Sequence, residues 1–381
     1  MSRHSDRAIE LVVLSSVHWH FTWQRHHEIS SRLARRDYRV TYVEPIPKRW
    51  PALREAARVL GRLRGRHEDA GLMRQPVPDG VRLESPTALP DVGTVSRWLN
   101  RTLAVPGIAS RLASNLRRPR VVLNYLPLAA SIELQERLDP DLTIYDCVWD
   151  WPHDPYSKRG VVREGDLLAV VDKVFADSPY LFDRMAAAHS DVERVLPAVD
   201  YDLYERARAQ TSPGERPRLA YFGSVGANTD LALLARLSHE FDLRIIGPMQ
   251  EDPGDLGEGT EVLGAVPQPE LPSLLADADV LVLPYRDAEH SAGVIPAKTF
   301  ECLATGKPTV AKGLSSLEEF SDLFYLCDDS ESFVAAVRDA AAEAPELRQR
   351  RLETAQRNTW DRRASQIDGA IRAGLAARGA P

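Results

Sequence analysis

Apolar residues along this chain fall into two rhythms. Short runs rich in Val, Ile and Leu, bounded by polar clusters, alternate with longer segments in which apolar positions recur at helical spacing. The first rhythm predicts strands buried on both faces, and the second predicts the helices that cover them, which together make a parallel α/β sheet. In the first half the runs predict strands at Ile9–Ser15, Arg39–Glu44, Val121–Tyr125, Leu142–Val148, Lys173–Ala176 and Arg194–Pro197. Helical patterns lie between them, at Gln24–Arg36, Ala129–Leu138 and Pro179–His189. After the polar segment RARAQTSPGERP, residues 206–217, a second series begins. Its strands are expected at Leu219–Phe222, Leu243–Ile246, Glu261–Leu263, Val280–Leu283, Thr309–Ala311 and Phe324–Leu326.

A repeated alternation of this kind predicts an α/β protein of two Rossmann-like domains facing across a cleft. The 381 residues also exceed what a single hydrophobic core holds. The boundaries read from composition are 1–208 and 209–355, followed by a helical segment over 356–381 that carries Trp360 near its start and is expected to cross back to the first domain. Ligands of such sheets sit beyond the carboxyl ends of the strands, so the chemistry belongs in the loops at those ends.

Composition narrows the class. With 44% hydrophobic and 27% charged residues the chain is globular. The three cysteines, Cys147, Cys302 and Cys327, lie far apart, with neither disulfide nor metal-site spacing, as in a reducing cytoplasm. The apolar run near the N-terminus is too short to span a bilayer and lacks a signal-peptide cleavage site, so it reads as a first strand. The net charge of −7 is uneven. Residues 1–200 hold 29 Lys and Arg against 26 Asp and Glu, leaving 19 against 29 for the rest. Much of the basic excess lies in KRWPALREAARVLGRLRGR, residues 48–66, where Leu53, Ala57, Leu60 and Leu63 oppose Arg54, Arg58 and Arg62. That is the pattern of a helix resting on anionic headgroups at the inner face of a membrane, and equally that of a solvated arginine face. Arg97, Trp98, Arg101, Arg117, Arg118 and Arg120 add positive charge without intervening acids. No nucleic-acid recognition motif accompanies them, and no nucleic-acid partner is expected.

Three strand ends carry candidate chemistry. SSVHWHFTWQRHH, residues 15–27, places His18, Trp19 and His20 beyond the first strand, with His26 and His27 on the following helix in a solvated or capping role. YDCVWDWPHD, residues 145–154, does the same with Asp146, Asp150, Trp151 and His153. His20 or Asp150 is suited to remove a proton from an acceptor hydroxyl, and the sequence does not choose between them. His18, Trp19, Trp151 and His153 would line the acceptor, the indoles stacking on sugar. Phe222-Gly-Ser-Val-Gly-Ala-Asn228 opens a helix, but its G-x-x-G spacing is not the dinucleotide fingerprint, and no P-loop occurs. It can still offer backbone N–H groups to an anion, as a plain tight turn also would. The two D-x-D strings, Asp139-Pro-Asp141 and Asp277-Ala-Asp279, sit at turns and are read as caps, so no metal is assigned.

In GVIPAKTFECLATGKPTVA, residues 293–311, Pro296 favours a helix start and Gly306 a left-handed stop, which predicts a helix over Ala297–Ala304 feeding a strand. Lys298 and Glu301 then share a face. This run, with DADVLVLPYRD at 277–287, YDCVWDW, FADSPYLFDRM and LRIIGP, resembles the donor-site motif of GT-B-fold glycosyltransferases, particularly the large family-four group. The resemblance implies a hydroxyl-directed, hexosyl-type transfer from a nucleoside-diphosphate sugar, with no cofactor or metal. Glu301 would accept the ribose hydroxyls. Lys298 and Arg286, with His290, Ser224 and Gly223, would meet the diphosphate as charge develops on it. The acceptor would be a cell-envelope glycan, a glycolipid, another lipid-linked acceptor or a natural product. Two family features are missing here. A second Glu, eight positions before the helix Glu, is Gly293, and the usual Arg and Lys pair at and after Gly223 is absent. A nucleotide-sugar-binding protein without catalysis, and a sugar-nucleotide epimerase, are the alternatives.

Overall fold

The computed structural model describes residues 8–48, 50, 75–153, 161–209, 216–286, 293 and 295–379. All but Lys48 and Trp50 of the basic segment at 48–66 lies outside them, as does His290. The chain divides into two compact units. The first comprises Met1–Asp177, Leu181–Val195 and Ala364–Pro381, and the second Ser178–Tyr180 and Leu196–Arg363. The main passage thus falls at Val195–Leu196, ahead of the polar segment that marked the expected boundary.

The first unit is built on β1 (Ile9–Leu14), β2 (Tyr38–Val43), β3 (Val81–Glu84), β4 (Arg120–Asn124), β5 (Leu142–Cys147), β6 (Lys173–Ala176) and β7 (Val192–Arg194). They form one parallel sheet in the order β3-β2-β1-β4-β5-β6-β7. Every residue of β1 and β5 is buried, which is why these strands read as unbroken apolar runs. Ile367 and Ile371 of the terminal helix Trp360–Ala377 are buried too, and its Asp368 accepts from the Tyr38 hydroxyl at 2.6 Å.

The second unit holds β8 (Arg218–Phe222), β9 (Asp242–Ile246), β10 (Glu261–Val262), β11 (Val280–Pro284), β12 (Thr309–Lys312) and β13 (Tyr325–Cys327). Their order is β10-β9-β8-β11-β12-β13, again parallel throughout. Lys307, between the helix Thr299–Thr305 and β12, is buried. Its ammonium donates to the carbonyls of Ala209, Ala276 and Ala278 at 3.2, 2.9 and 2.7 Å. This lysine ties the entry to the second sheet to the start of β11.

Eleven of the twelve expected strands match to within a residue at each end. The exception is Arg194–Pro197, where pairing with β6 is complete by Arg194. β3 was not foreseen. It is short and half-buried, so its Val81 and Leu83 make too brief an alternation to stand out after the Asp79-Gly80 turn.

Parallel strands direct all their carboxyl ends to one edge, where loops must pass closely. At the ends of β8 and β9, Gly223 donates to the Ile246 carbonyl at 2.8 Å. Gly247 has φ +148°, and a Cβ on it would lie 2.1 Å from the Gly223 oxygen. Gly247→Ala is therefore expected to lower stability by more than about 1 kcal/mol. Gly369 lies inside the terminal helix, where an added Cβ would meet nothing within 4 Å, and it should gain up to ~1 kcal/mol as alanine. Chemical denaturation of both variants checks the pair, and a neutral Gly247→Ala would contradict the packing described.

Candidate functional site

At the carboxyl edge of the second sheet, Gly223 is what makes the site. Its φ of +114° suits glycine, and a Cβ there would lie 2.5 Å from Lys298 Nζ and 3.2 Å from Cε. The lysine fills that space. Its ammonium donates to the Phe222 carbonyl and lies 4.7 Å from the centre of the Tyr221 ring and 5.5 Å from that of Tyr285. These are cation–π distances. Burial alone would strip the proton from Lys298, but Tyr285 and Tyr221 more than offset it and hold the ammonium above the usual lysine range. Lys298 caps the helix Thr299–Thr305, and Gly306 ends that helix in the left-handed conformation, with φ +71°.

One turn on, Glu301 is half-buried. Behind it stands the buried Tyr204, whose phenol is pushed well above its ordinary range by burial and then by the Glu301 carboxylate. Arg286 is exposed, donates its backbone N–H to the Asn228 carbonyl at 2.9 Å, and faces Glu251 at 3.4 Å. Ser224 keeps an exposed hydroxyl near the Pro248 carbonyl at 3.5 Å, while its own carbonyl accepts from Tyr221 at 2.7 Å. Lys312 was not picked out from the sequence. It is buried at the end of β12, with its ammonium 3.2 Å from Asp230, the residue that caps the helix Leu231–Glu240. The only signal for it is a lysine closing an apolar strand.

Gly293 has a physical reason. A Cβ on it would lie 2.3 Å from Cδ1 and 2.6 Å from Cε1 of Tyr180, and its carbonyl accepts a hydrogen bond from the Ser178 hydroxyl. A glutamate cannot occupy position 293 while Tyr180 stands there.

In the first unit, the strand-end aspartates are set in different surroundings. Asp146 is fully buried and gripped by Arg25, with Nε–Oδ2 and Nη2–Oδ1 both at 2.9 Å, and Arg25 also donates to the Val195 carbonyl at 2.8 Å. Asp177, just past β6, is buried beside this pair. Burial raises its carboxyl to about 7, Arg25 partly opposing and Asp146 reinforcing the shift. Asp150 is buried with its Oδ2 2.5 Å from His153 Nδ1. Arg184, paired to Glu164, stands 3.6 Å from its other oxygen. His153 itself is 41% exposed. A buried carboxylate on Nδ1 fixes the tautomer and leaves Nε2 to accept a proton.

Several expectations are corrected. Trp19 is fully buried. Its ring is packed edge-on by Trp23, His27 and Tyr42, so it offers no stacking face. Trp151 is likewise in the core, with Lys48 4.2 Å over its ring. His26 and His27 are buried, not solvated, while the capping alternative holds for His27. His27 Nδ1 accepts from the Gln24 amide at 3.2 Å, its Nε2 is 3.0 Å from the Trp19 carbonyl, and burial drives its pKa down to about 4. His18 turns to Glu44 at 3.6 Å. Burial would raise that carboxyl, but hydrogen bonds from His18, Ser85 and the Trp19 amide hold it at about 2. His20 is half-buried, and its Nδ1 has no hydrogen-bond partner among the described residues. In the D-x-D strings, Asp139 and Asp141 pair with Arg118, Asp277 with Arg244 and Asp279 with Arg218. Among the described residues no group of three metal-ligating side chains comes together.

Residues 219–343 match the family model described as Glycosyl transferases group 1. A Bacillus subtilis (strain 168) protein, TuaH, named as a candidate teichuronic acid biosynthesis glycosyltransferase, is 25% identical over 206 residues, 46% of this chain and 51% of that protein. The chain thus matches about half the length of this relative. Sucrose-phosphate synthase from Thermosynechococcus elongatus shares the fold with a TM-score of 0.67 at 14% identity, over 97% of this chain and 100% of that one. The α,α-trehalose 6-phosphate synthase from Burkholderia multivorans gives 0.62 at 11%, over 97% and 99%. The fold is the GT-B one, and the resemblance to group-one glycosyltransferases is shown.

The sign of the Asp177 shift predicts a pH dependence. A carboxyl raised from its ordinary 3.8 to about 7 keeps a proton in the folded chain that the unfolded chain has already released, so it costs stability progressively as pH rises across that window. Asp177→Asn should remove this loss, and its melting temperature relative to wild type should climb from pH 4.5 to pH 7.5, a tenfold change in the proton equilibrium being worth ~1.4 kcal/mol. Parallel pH profiles for the two proteins would refute it.

Proposed function

We propose that this chain is a glycosyltransferase that moves a sugar from a nucleoside-diphosphate sugar to a hydroxyl acceptor. The second unit binds the donor, and the first binds the acceptor and carries the base. The observation that supports the donor side most directly is the Gly223–Lys298 fit, one helical turn from a Glu301 backed by Tyr204. A fixed ammonium beside a carboxylate suits a ligand that presents diphosphate and ribose together. Lys298 spends N–H groups on the Phe222 carbonyl and on Tyr285, which leaves one of its three for a phosphate oxygen. Arg286 and Lys312 are further cations of the same unit, and Ser224 directly follows Gly223 in the turn.

For the base, the geometry favours His153 as the group that takes the proton, with Asp150 as its orienting partner, over Asp150 acting directly. The acceptor oxygen attacks the anomeric carbon as its proton passes to His153 Nε2, and the bond electrons leave with the nucleoside diphosphate. His20 remains the second candidate, since it is half-buried where His26 and His27 are buried, and its Nδ1 has no hydrogen-bond partner among the described residues.

A thermal-shift panel of UDP, GDP, dTDP, ADP and CMP tests the donor site, because a ligand of the folded state raises the melting temperature. One nucleotide should raise it, and Glu301→Ala should weaken that binding by about 1–3 kcal/mol. If no nucleotide shifts the wild type, or the shift survives in Glu301→Ala, the donor assignment fails. With the donor so identified, His153→Ala and Asp150→Asn should leave the nucleotide shift intact while slowing turnover of the matching nucleotide sugar by about 10²-fold or more. Undiminished turnover in His153→Ala would remove it as the base.

A further inference from the structure

The most exposed large apolar residues among those described are Val95, Leu103 and Trp98, at 70%, 67% and 60% exposure. All three lie on one continuous helical rod, formed by the α-helix Thr94–Leu99, the π-turn Asn100–Ala104 and the α-helix Val105–Ala113. The π-turn has a local cause. Pro106 has no N–H to return to the carbonyl one turn earlier, and its ring crowds that carbonyl. A π-turn advances less per residue than an α-turn, which rotates Leu103 toward the side that carries Val95 and Trp98.

The opposite side of the rod is firmly seated. Asn100 is buried and exchanges two 2.9 Å hydrogen bonds with the backbone of Leu89, and Val105, Ile108, Ala109 and Leu112 are in the core. The exposed face is therefore not a poorly packed end. It is held outward by a rigid inner face, and an apolar patch of this kind on a settled element marks an interaction surface.

Charge identifies the occupant. From Val92 to Ile132 the sequence holds six arginines and no acidic residue. Arg118 is engaged by Asp139 and Asp141, and Arg120 by the carbonyls of Leu138 and Leu116. Arg101 and Arg111 are 76% and 52% exposed, with acids only at 3.8 and 3.7 Å. A projecting indole and two aliphatic side chains, flanked by exposed guanidinium groups, match the boundary between acyl chains and anionic headgroups. We infer that the rod Thr94–Ala113 is a docking face for an anionic lipid bilayer, with Val95, Trp98 and Leu103 entering the interface and Arg101 and Arg111 meeting headgroups. This is a different place from the basic segment at 48–66, and it stands whether or not the donor reading holds.

The test is co-flotation of the full chain with vesicles of phosphatidylcholine alone and of phosphatidylcholine mixed equally with phosphatidylglycerol. The wild type should float with the mixed vesicles, less so at raised salt, and stay behind with the neutral ones. The triple variant Val95→Ser/Trp98→Ser/Leu103→Ser should lose at least about tenfold of vesicle binding. Arg101→Glu and Arg111→Glu should each lose about fivefold or more. All are surface changes, and unchanged melting temperatures would show that they fold. Two results overturn the inference: a wild type that never floats with anionic vesicles, and a triple variant that floats as well as wild type. A triple variant that turns a wild-type dimer into a monomer, with no vesicle binding by either, would assign the face to a second copy and overturn it too. The nucleotide shift should be the same in every variant, which separates this outcome from that of the donor site.

Discussion

The second unit depends on where a single ammonium is put. Lys298 points its charge into a space bounded by a strand-end carbonyl and two phenol rings, and burying a charge without partners costs more than a fold of marginal stability tolerates. The surroundings follow from that. Position 223 must be glycine because the lysine occupies the volume of its side chain, and position 247 must be glycine because the Gly223 carbonyl occupies the other side. Tyr221 and Tyr285 supply ring faces from β8 and from the end of β11, so the sheet's own strands furnish the cation's cage. The helix that begins at Lys298 is thereby set against the sheet, and Glu301 is placed one turn beyond the charge.

The first unit applies the same rule to anions. Three aspartates stand near the ends of neighbouring strands, and each is given different partners. Asp146 shares its burial with a guanidinium that grips both of its oxygens. Asp177, close to it in space but without a guanidinium of its own, is pushed toward neutrality by the same burial. Asp150 has a histidine on one oxygen and an arginine 3.6 Å from the other, so it is tied to an imidazole that solvent can reach. Of the three, Asp150 alone is hydrogen-bonded to an exposed side chain, which is why His153 beside it is the base we propose.

What the sequence made legible, and what it did not, divides along range of contact. The strands, the helix from Lys298 and the left-handed stop at Gly306 are set by neighbours within a few positions, and they were readable. The Arg25–Asp146 grip spans 121 positions, the Ser178–Gly293 bond 115, and the Lys298–Phe222 bond 76, and no local pattern encodes any of them. The aromatic and histidine cluster at 15–27 misled for the same reason. Trp19, Trp23, His26 and His27 are dense because they build a miniature core under Tyr42 and Tyr125, and a cluster that looks like a binding loop in one dimension is inward-facing in three. The pair at Asp150 and His153 was visible as two residues, but only the hydrogen bond assigns them their different parts.

The two departures from the pattern of the group-one glycosyltransferases bear on the proposed donor site. With no arginine or lysine following Gly223, the positive charge of this edge comes from later in the chain, from Lys298 through the glycine gap and from Lys312 at the end of β12. Both ammonium groups already have partners, a carbonyl for one and Asp230 for the other, so the diphosphate we propose would meet cations fixed in place and not side chains that must be gathered from solution. Ordering has been completed during folding, and preorganised charge of this sort loses little on binding. At position 293 prior packing works the other way. Tyr180 occupies the volume in which a carboxylate would need to stand, so what the described residues offer near Gly293 in its place is a backbone carbonyl already used by Ser178 and the Tyr180 ring. An aromatic face recognises the apolar side of a pyranose and is indifferent to the orientation of most of its hydroxyls, whereas a carboxylate selects among them. On the proposed reading, donor choice would therefore rest more on the nucleotide, met by Glu301 and the lysines, than on the sugar.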